Sequence, residues 1–317
     1  MRIDMKRVRA FAAFLAAGVS IVAAAAPQPA DKSATAAKKP LKVLMIGNSF
    51  SVCVLKQMPQ IARDNGLVLD LASANIGGCS LERHVNEFVK GEADPSAGTH
   101  CFNWNYASDD GHFKRLLQKR RRISLPTALK ADVWDVVTVQ QASHESWRAE
   151  SFEPWADRLV AKIREYAPRA KIVIQQTWSY CNRDGRICNR KKGTGPGSWG
   201  FDQAGMYERL DSNYRNLAQR YGFEIIPTGK AIQLYRREVS DQSLDPVGSP
   251  TGKGGYDTIH LNQRGECLQA LVWTAKLFRA DAEKFVYSDD YSADADDFRV
   301  MQRVAMTAVR QIESDKR

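Results

Sequence analysis

The chain has 317 residues, 44% of them hydrophobic and 26% charged, with 46 Lys and Arg against 36 Asp and Glu and a formal net charge of +10. Without a short leader, that length suits one large domain of about 280 residues. Only one long apolar run is present, at the N-terminus, which excludes a multi-span membrane protein, and no nucleic-acid-binding module accompanies the positive charge.

In chain order, MRIDMKRVR is a basic segment, AFAAFLAAGVSIVAAAA is apolar and rich in small residues, and its end offers a cleavage site near Ala25 or Ala26. Residues 1–26 therefore read as a secretory signal peptide. As a membrane anchor the run is poor, because it contains Gly18 and Ser20 and falls short of the roughly 20 apolar residues of a comfortable span. Residues 27–40, PQPADKSATAAKKP, have no periodicity and read as a flexible linker to a domain over 41–317. Strand-like runs follow at Val43–Ile46, Leu67–Ala72, Val133–Val139, Lys171–Gln176 and Phe223–Ile226. Helical patterns are expected at Val52–Asn65, Glu153–Tyr166, Ala204–Tyr221, Gly229–Val239, Asn262–Arg279 and Asp296–Ser314. This alternation predicts an α/β fold with a central parallel sheet. Two stretches, 84–130 and 177–203, are long for plain connections and read as insertions that shape a binding groove.

Chemistry concentrates at two places. Gly47-Asn48 gives a sharp turn between the first strand and a helical stretch, so Ser49 is expected at a helix N-terminus, where unpaired amides and the helix dipole favour a developing negative charge. Asn48, Ser49 and Ser51 are also ordinary helix caps. Far downstream, Asp257-Thr-Ile-His260 lies on a loop ahead of the last long helix of the core. Its spacing lets the carboxylate accept from Nδ1–H of His260, leaving Nε2 to take the proton of Ser49. Ser49, His260 and Asp257 thus form a candidate nucleophile, base and orienter.

With these residues in place the chain resembles the SGNH or GDSL hydrolases, whose first block matches Gly47-Asn48-Ser49-Phe50. The resemblance implies a three-layer α/β/α sandwich of flavodoxin-like order with the site at the carboxyl ends of the strands. It also implies an oxyanion hole built from the amides of Ser49 and a second-block glycine, here Gly78 in SANIGGCSLERH, with Gly77 as the neighbouring choice. The family's third-block Asn is missing from WDVVTVQQASHES. Gln141 or Gln140 has the chemistry to donate in its place, and an ungapped alignment puts His144 there. Asn48, Trp178, Gln176 and His144 are the candidate substrate contacts. IGNSF, GGCSL, VQQASH, QQTW and DTIHLNQRG together resemble an SGNH-like subfamily described mainly as a domain of unknown function.

The reading is an exported, periplasmic or secreted serine esterase that needs no metal or organic cofactor. Its leading substrate is an O-acetyl ester on a carbohydrate, by resemblance to related exported esterases. A lipase or thioesterase acting on longer acyl chains is an alternative, and so is a non-catalytic carbohydrate-binding protein on the same fold. Loss of Arg2, Lys6, Arg7 and Arg9 against Asp4 with the leader leaves a charge of +7. Basic clusters at Lys114–Arg122 and Arg183–Lys192 are either solvated surface or an attraction to an anionic polymer. All six cysteines follow the leader, so an oxidising compartment predicts disulfides. Cys181 with Cys188 closes a short loop and Cys79 with Cys101 is the next pair, whereas Cys53 and Cys267 sit on amphipathic helices as buried thiols. Without Cys-x-x-Cys or His-x-x-x-His, zinc is disfavoured.

Overall fold

The computed structural model describes residues 38–96, 102–108, 122–189, 191–192 and 194–315. The expected signal peptide, residues 27–37 of the expected linker, Cys101 and most of the basic run before Arg122 lie outside them. Residues 38–40 are not free linker: Lys38 donates to the Gly66 carbonyl, and Lys39 lies 3.8 Å from Asp135.

Seven strands make one sheet: β1 (Leu41–Gly47), β2 (Leu69–Asn75), β3 (Phe102–Ser108), β4 (Arg122–Ile123), β5 (Val136–Val139), β6 (Lys171–Gln175) and β7 (Glu224–Ile226). Their order is β4-β3-β2-β1-β5-β6-β7, with β2, β1, β5, β6 and β7 parallel. Short runs such as Val43-Leu-Met-Ile46 and Val136-Val-Thr-Val139 are buried throughout, the first of them wholly apolar, because helices cover both faces of the sheet. The expected central parallel sheet is borne out in these five strands and is extended at one edge by two antiparallel ones. β3 pairs antiparallel with β2, and β4 antiparallel with β3, so part of the 84–130 stretch widens the sheet.

Nine helices are seen among the described residues: α1 (Ser49–Val52), α2 (Met58–Asp64), α3 (Leu81–Ala93), α4 (Leu125–Lys130), α5 (Trp155–Tyr166), α6 (Gln203–Tyr221), α7 (Thr228–Glu238), α8 (Gln263–Phe278) and α9 (Ala295–Ser314). Helices α2, α7, α8 and α9 pack together on one face, and α3, α4 and α5 on the other. Helix α6 joins the second group, with Tyr214 edge-on to Phe152 and Arg220 paired to Asp157. The fold is therefore a three-layer α/β/α sandwich. Helix α8 is buried all round from Gly265 to Lys276, as a helix packed on several sides must be. The single helix expected over 52–65 is broken into α1, a 3₁₀ turn at Cys53–Lys56 and α2. Pro59, which has no N–H, sits at the start of α2, where none is needed.

Two features place the site. The chain winds from β1 to β2 on one side and returns to β5 on the other, so the connections leaving β1 and β5 diverge and open a crevice at the carboxyl ends. Ser49 lies directly after β1. The second feature replaces an expected loop: β8 (Val247–Pro250) and β9 (Tyr256–Leu261) form a separate antiparallel hairpin. Its register steps from Val247↔Leu261 to Ser249↔Asp257, so β9 carries extra residues opposite Gly248 and bulges at Thr258–His260. Gly248, at φ +95°, is required there, because a Cβ would come within 2.8 Å of the Tyr256 ring and 3.0 Å of the Asp257 carbonyl.

Candidate active site

At the end of β1 the backbone turns sharply into α1. Gly47 permits this, since a Cβ would fall 2.3 Å from Ser51 Oγ. Asn48 caps α1 by accepting from the Phe50 amide at 2.9 Å, and its Nδ2 donates to the Cys79 carbonyl at 3.1 Å. The Asn48 side chain thereby ties the Ser49 turn to the Gly77-Gly78 turn. Buried and used in this way, it is not the substrate contact expected from sequence.

The structure brings Ser49, His260 and Asp257 together. Ser49 Oγ lies 2.8 Å from His260 Nε2, and His260 Nδ1 lies 2.7 Å from Asp257 Oδ2. An ionised carboxylate only accepts, so the ring proton sits on Nδ1 and Nε2 is left to accept from the Ser49 hydroxyl. Asp257 Oδ1 also accepts from the amides of Ile259 and His260, at 2.9 and 3.0 Å. Burial works to raise the Asp257 carboxyl, but the His260 and Ile259 amides and the His260 ring outweigh it and hold the group below the ordinary carboxylate range. The side chains of His260 and Asp257 are 41% and 28% exposed, so the site opens to solvent. Such an arrangement can pass a proton from a hydroxyl to an imidazole while the oxygen attacks an electrophile.

The second-block turn is also present. Gly78 is exposed at φ +62°, in a turn closed by a 3.1 Å bond from the Cys79 amide to the Ile76 carbonyl. Among the described residues no hydrogen bond uses the amides of Ser49 or Gly78, which leaves both for an incoming oxygen. The expected third donor is a different matter. Gln141 is buried, its Oε1 accepting from the amides of Leu81 and Ala142 and its Nε2 donating to the Ser151 carbonyl and Oγ. Gln140 is buried too and donates to Asn48 Oδ1 at 2.6 Å. Both side chains brace the turns that carry Ser49 and Gly78, so neither amide supplies the oxyanion donor expected from sequence. His144 stands at the tip of the loop after β5 with its side chain 47% exposed and 4.0 Å from Glu145, and no hydrogen bond among the described residues links it to Ser49.

Three further expectations change. Trp178 is 0% exposed, so it cannot stack on a substrate; its indole N–H donates to the Ile259 carbonyl at 2.9 Å. Gln176 is likewise buried, donating to Asp211 and accepting from the Lys230 amide at the start of α7. The proposed Cys181–Cys188 bridge is absent: both are buried free thiols, and Cys181 Sγ points at Gly248 in the hairpin. Cys79 is a buried thiol whose expected partner Cys101 lies outside the described residues. Burial pushes the thiols of Cys53, Cys79 and Cys267 up to about 12, so they stay protonated.

Several supports were not anticipated. Asp184, buried in the 177–203 stretch, accepts from Thr258 Oγ1 at 2.5 Å and from the Arg186 guanidinium, and the Cys181 amide donates to the Thr258 carbonyl. Burial favours the neutral acid, yet these donors bring the Asp184 carboxyl below its ordinary value. That stretch therefore clasps β9 from behind. On the other side His84 Nε2 donates to the Gly47 carbonyl at 3.2 Å, and burial lowers this imidazole to about 4, so it is neutral. The helix that carries His84 was legible in the spacing of Leu81, Val85 and Phe88. No sequence signal marked the Asp184–Thr258 contact.

A crystal structure of a DUF4886 family protein from Bacteroides uniformis ATCC 8492 superposes with a TM-score of 0.68 at 25% identity, covering 86% of this chain and 95% of that one. A candidate SGNH hydrolase from Slackia heliotrinireducens matches with a TM-score of 0.43 at 20% identity, over 74% of this chain and 97% of that one. A candidate GDSL-like lipase from Parabacteroides merdae ATCC 43184 matches at 0.44 and 10% identity, over 74% and 95%. A comparison with curated proteins finds no match. The family model described as a domain of unknown function, DUF4886, matches residues 42–308, and the chain belongs to that family.

Proposed function

We propose that this protein is an exported serine esterase that cleaves ester groups, O-acetyl on a carbohydrate first among them, through an acyl-enzyme. The observation that carries the reading is the unbroken line of contacts from Ser49 Oγ through the His260 ring to Asp257, 2.8 and 2.7 Å long. In the first step Ser49 Oγ attacks the acyl carbon and its proton passes to His260 Nε2. The bond from that carbon to the alcohol oxygen then breaks, and the alcohol departs with the proton from Nε2. Water, deprotonated by the same nitrogen, attacks the acyl carbon; the bond from that carbon to Ser49 Oγ then breaks, Oγ takes the proton back from Nε2, and the acid is released. Asp257 holds the ring tautomer throughout, and the amides of Ser49 and Gly78 are the donors for the oxyanion.

Export rests on the leader-like residues 1–26. A site open at its rim, with His260 partly exposed, suits an ester displayed on a polymer. Purified protein is expected to release acetate from acetylated xylan or pectin and to prefer acetate over octanoate in a graded nitrophenyl ester series. A marked rise toward octanoate would move the assignment to a lipase or thioesterase. Full activity in a folded Ser49→Ala variant would falsify the nucleophile.

A further inference from the structure

His260 belongs to a two-stranded hairpin that has no strand partner in the main sheet, whereas Ser49 follows the sheet's central strand. A lone hairpin is a marginal element, so something must hold it at a fixed distance from β1. Resting on the hydrolase reading, we propose that Trp178 is a positioning residue that fixes the imidazole of His260 against the hydroxyl of Ser49.

The indole touches the neighbour of each reacting residue. Its N–H donates to the Ile259 carbonyl, one peptide unit before His260, at 2.9 Å. Its ring lies flat on Phe50, the residue after Ser49, with centroids 4.0 Å apart and planes 3° from parallel. Phe50 in turn meets the His260 ring edge-on, at 5.6 Å and 63°. Phe50 cannot drift independently, because its carbonyl accepts from both Gln175 and Gln269 and its amide donates to Asn48. Trp178 itself follows closely on β6, which is anchored between β5 and β7. A shift of the hairpin away from Ser49 would therefore have to break the indole hydrogen bond and slide His260 off Phe50. Small displacements matter here, since about 1 Å of misplacement can cost on the order of a hundredfold in rate.

The test replaces the indole with benzothienylalanine, which keeps the bicyclic shape and the stack but removes the N–H; Trp178→Phe is made alongside. Four quantities are read in the full-length protein: kcat and KM for a short-acyl nitrophenyl ester, the melting temperature, and the low-field imidazole proton resonance assigned through His260→Gln. The expected result is a fall in kcat of roughly ten- to a hundredfold with little change in KM, cooperative unfolding retained, and a shifted or broadened His260 resonance. Should Trp178→Phe fail to fold, the benzothienyl protein still decides. Unchanged kcat with an unchanged resonance would overturn the proposal, as would a raised KM at constant kcat. If the wild type turns over no ester, only the hydrolase reading falls. The resonance then still shows whether the N–H of Trp178 places His260.

Discussion

His260 Nε2 sits 2.8 Å from Ser49 Oγ although 211 positions of sequence separate the two residues. Each partner is fixed by different means. Ser49 is set by the end of a buried parallel strand and by the Asn48 cap. His260 is set by a bulged hairpin and by the side chains that clasp it. The contact is thus a property of how the hairpin docks, and variants that alter either support should change it in distinguishable ways.

Asp257→Asn puts a carboxamide of the same shape in place of the carboxylate but can present an N–H to His260, favouring the tautomer with the proton on Nε2. That proton would face Ser49 and block its deprotonation. We expect kcat to fall by about three to four orders of magnitude with a folded protein and nearly unchanged KM, measured by steady-state kinetics on a nitrophenyl ester. A loss of only a few-fold would mean that the carboxylate does not set the ring.

Asp257 also links stability to pH. Its folded-state pKa lies below the unfolded one, so ionised Asp257 adds stability above the usual carboxylate range, and this is lost as pH falls through the folded value. Melting curves of wild type and Asp257→Asn should therefore differ most above about pH 4 and converge on acidification. A gap that stays constant as the solution is acidified would contradict the assigned shift.

Gly47→Ala places a methyl group 2.3 Å from Ser51 Oγ, in the turn that presents Ser49. The turn must move or Ser51 must rotate away from the Asn48 carbonyl, to which it donates at 2.9 Å. Denaturant unfolding should show a loss of about 1–3 kcal/mol, and activity per folded molecule should drop as well. Wild-type stability and rate together would show that the turn is looser than described.

Gln141→Leu separates a structural role from a catalytic one. The Leu81 and Ala142 amides lose their acceptor, so stability should fall by about 1–3 kcal/mol, while kcat, affected only through the braced turn, should fall by no more than about tenfold. Removing a true oxyanion donor would instead cost about a hundred- to a thousandfold in kcat. Kinetics on protein shown to be folded by circular dichroism tells the two apart.

The parts of the site that were legible in sequence are those whose chemistry is local. Gly47-Asn48-Ser49 after an apolar strand is a turn, a cap and a hydroxyl in consecutive positions. Asp257-x-x-His260 is a short segment whose own carboxylate accepts from the amides of Ile259 and His260. What escaped is decided at long range. Glutamine can equally donate to an oxyanion or brace a backbone, and only the docking of α3 against the loop after β5 commits Gln141 to the second. Trp178 follows the strand toward the open end of the sheet, where a ring could face solvent, but the β8–β9 hairpin covers it. The same hairpin turns Cys181 toward Gly248, away from the bridge that its spacing to Cys188 suggested. The strand β3, by contrast, was readable in the alternation of Phe102, Trp104 and Tyr106 with polar residues, a period of two inside a stretch taken for an insertion.

The nucleophile is tested most directly by incubating the purified protein with a fluorophosphonate probe and mapping the modified residue by peptide mass spectrometry. A single adduct on Ser49 is expected, absent from Ser49→Ala and strongly slowed in His260→Gln. No adduct on the folded wild type, or an adduct on another serine, would contradict it.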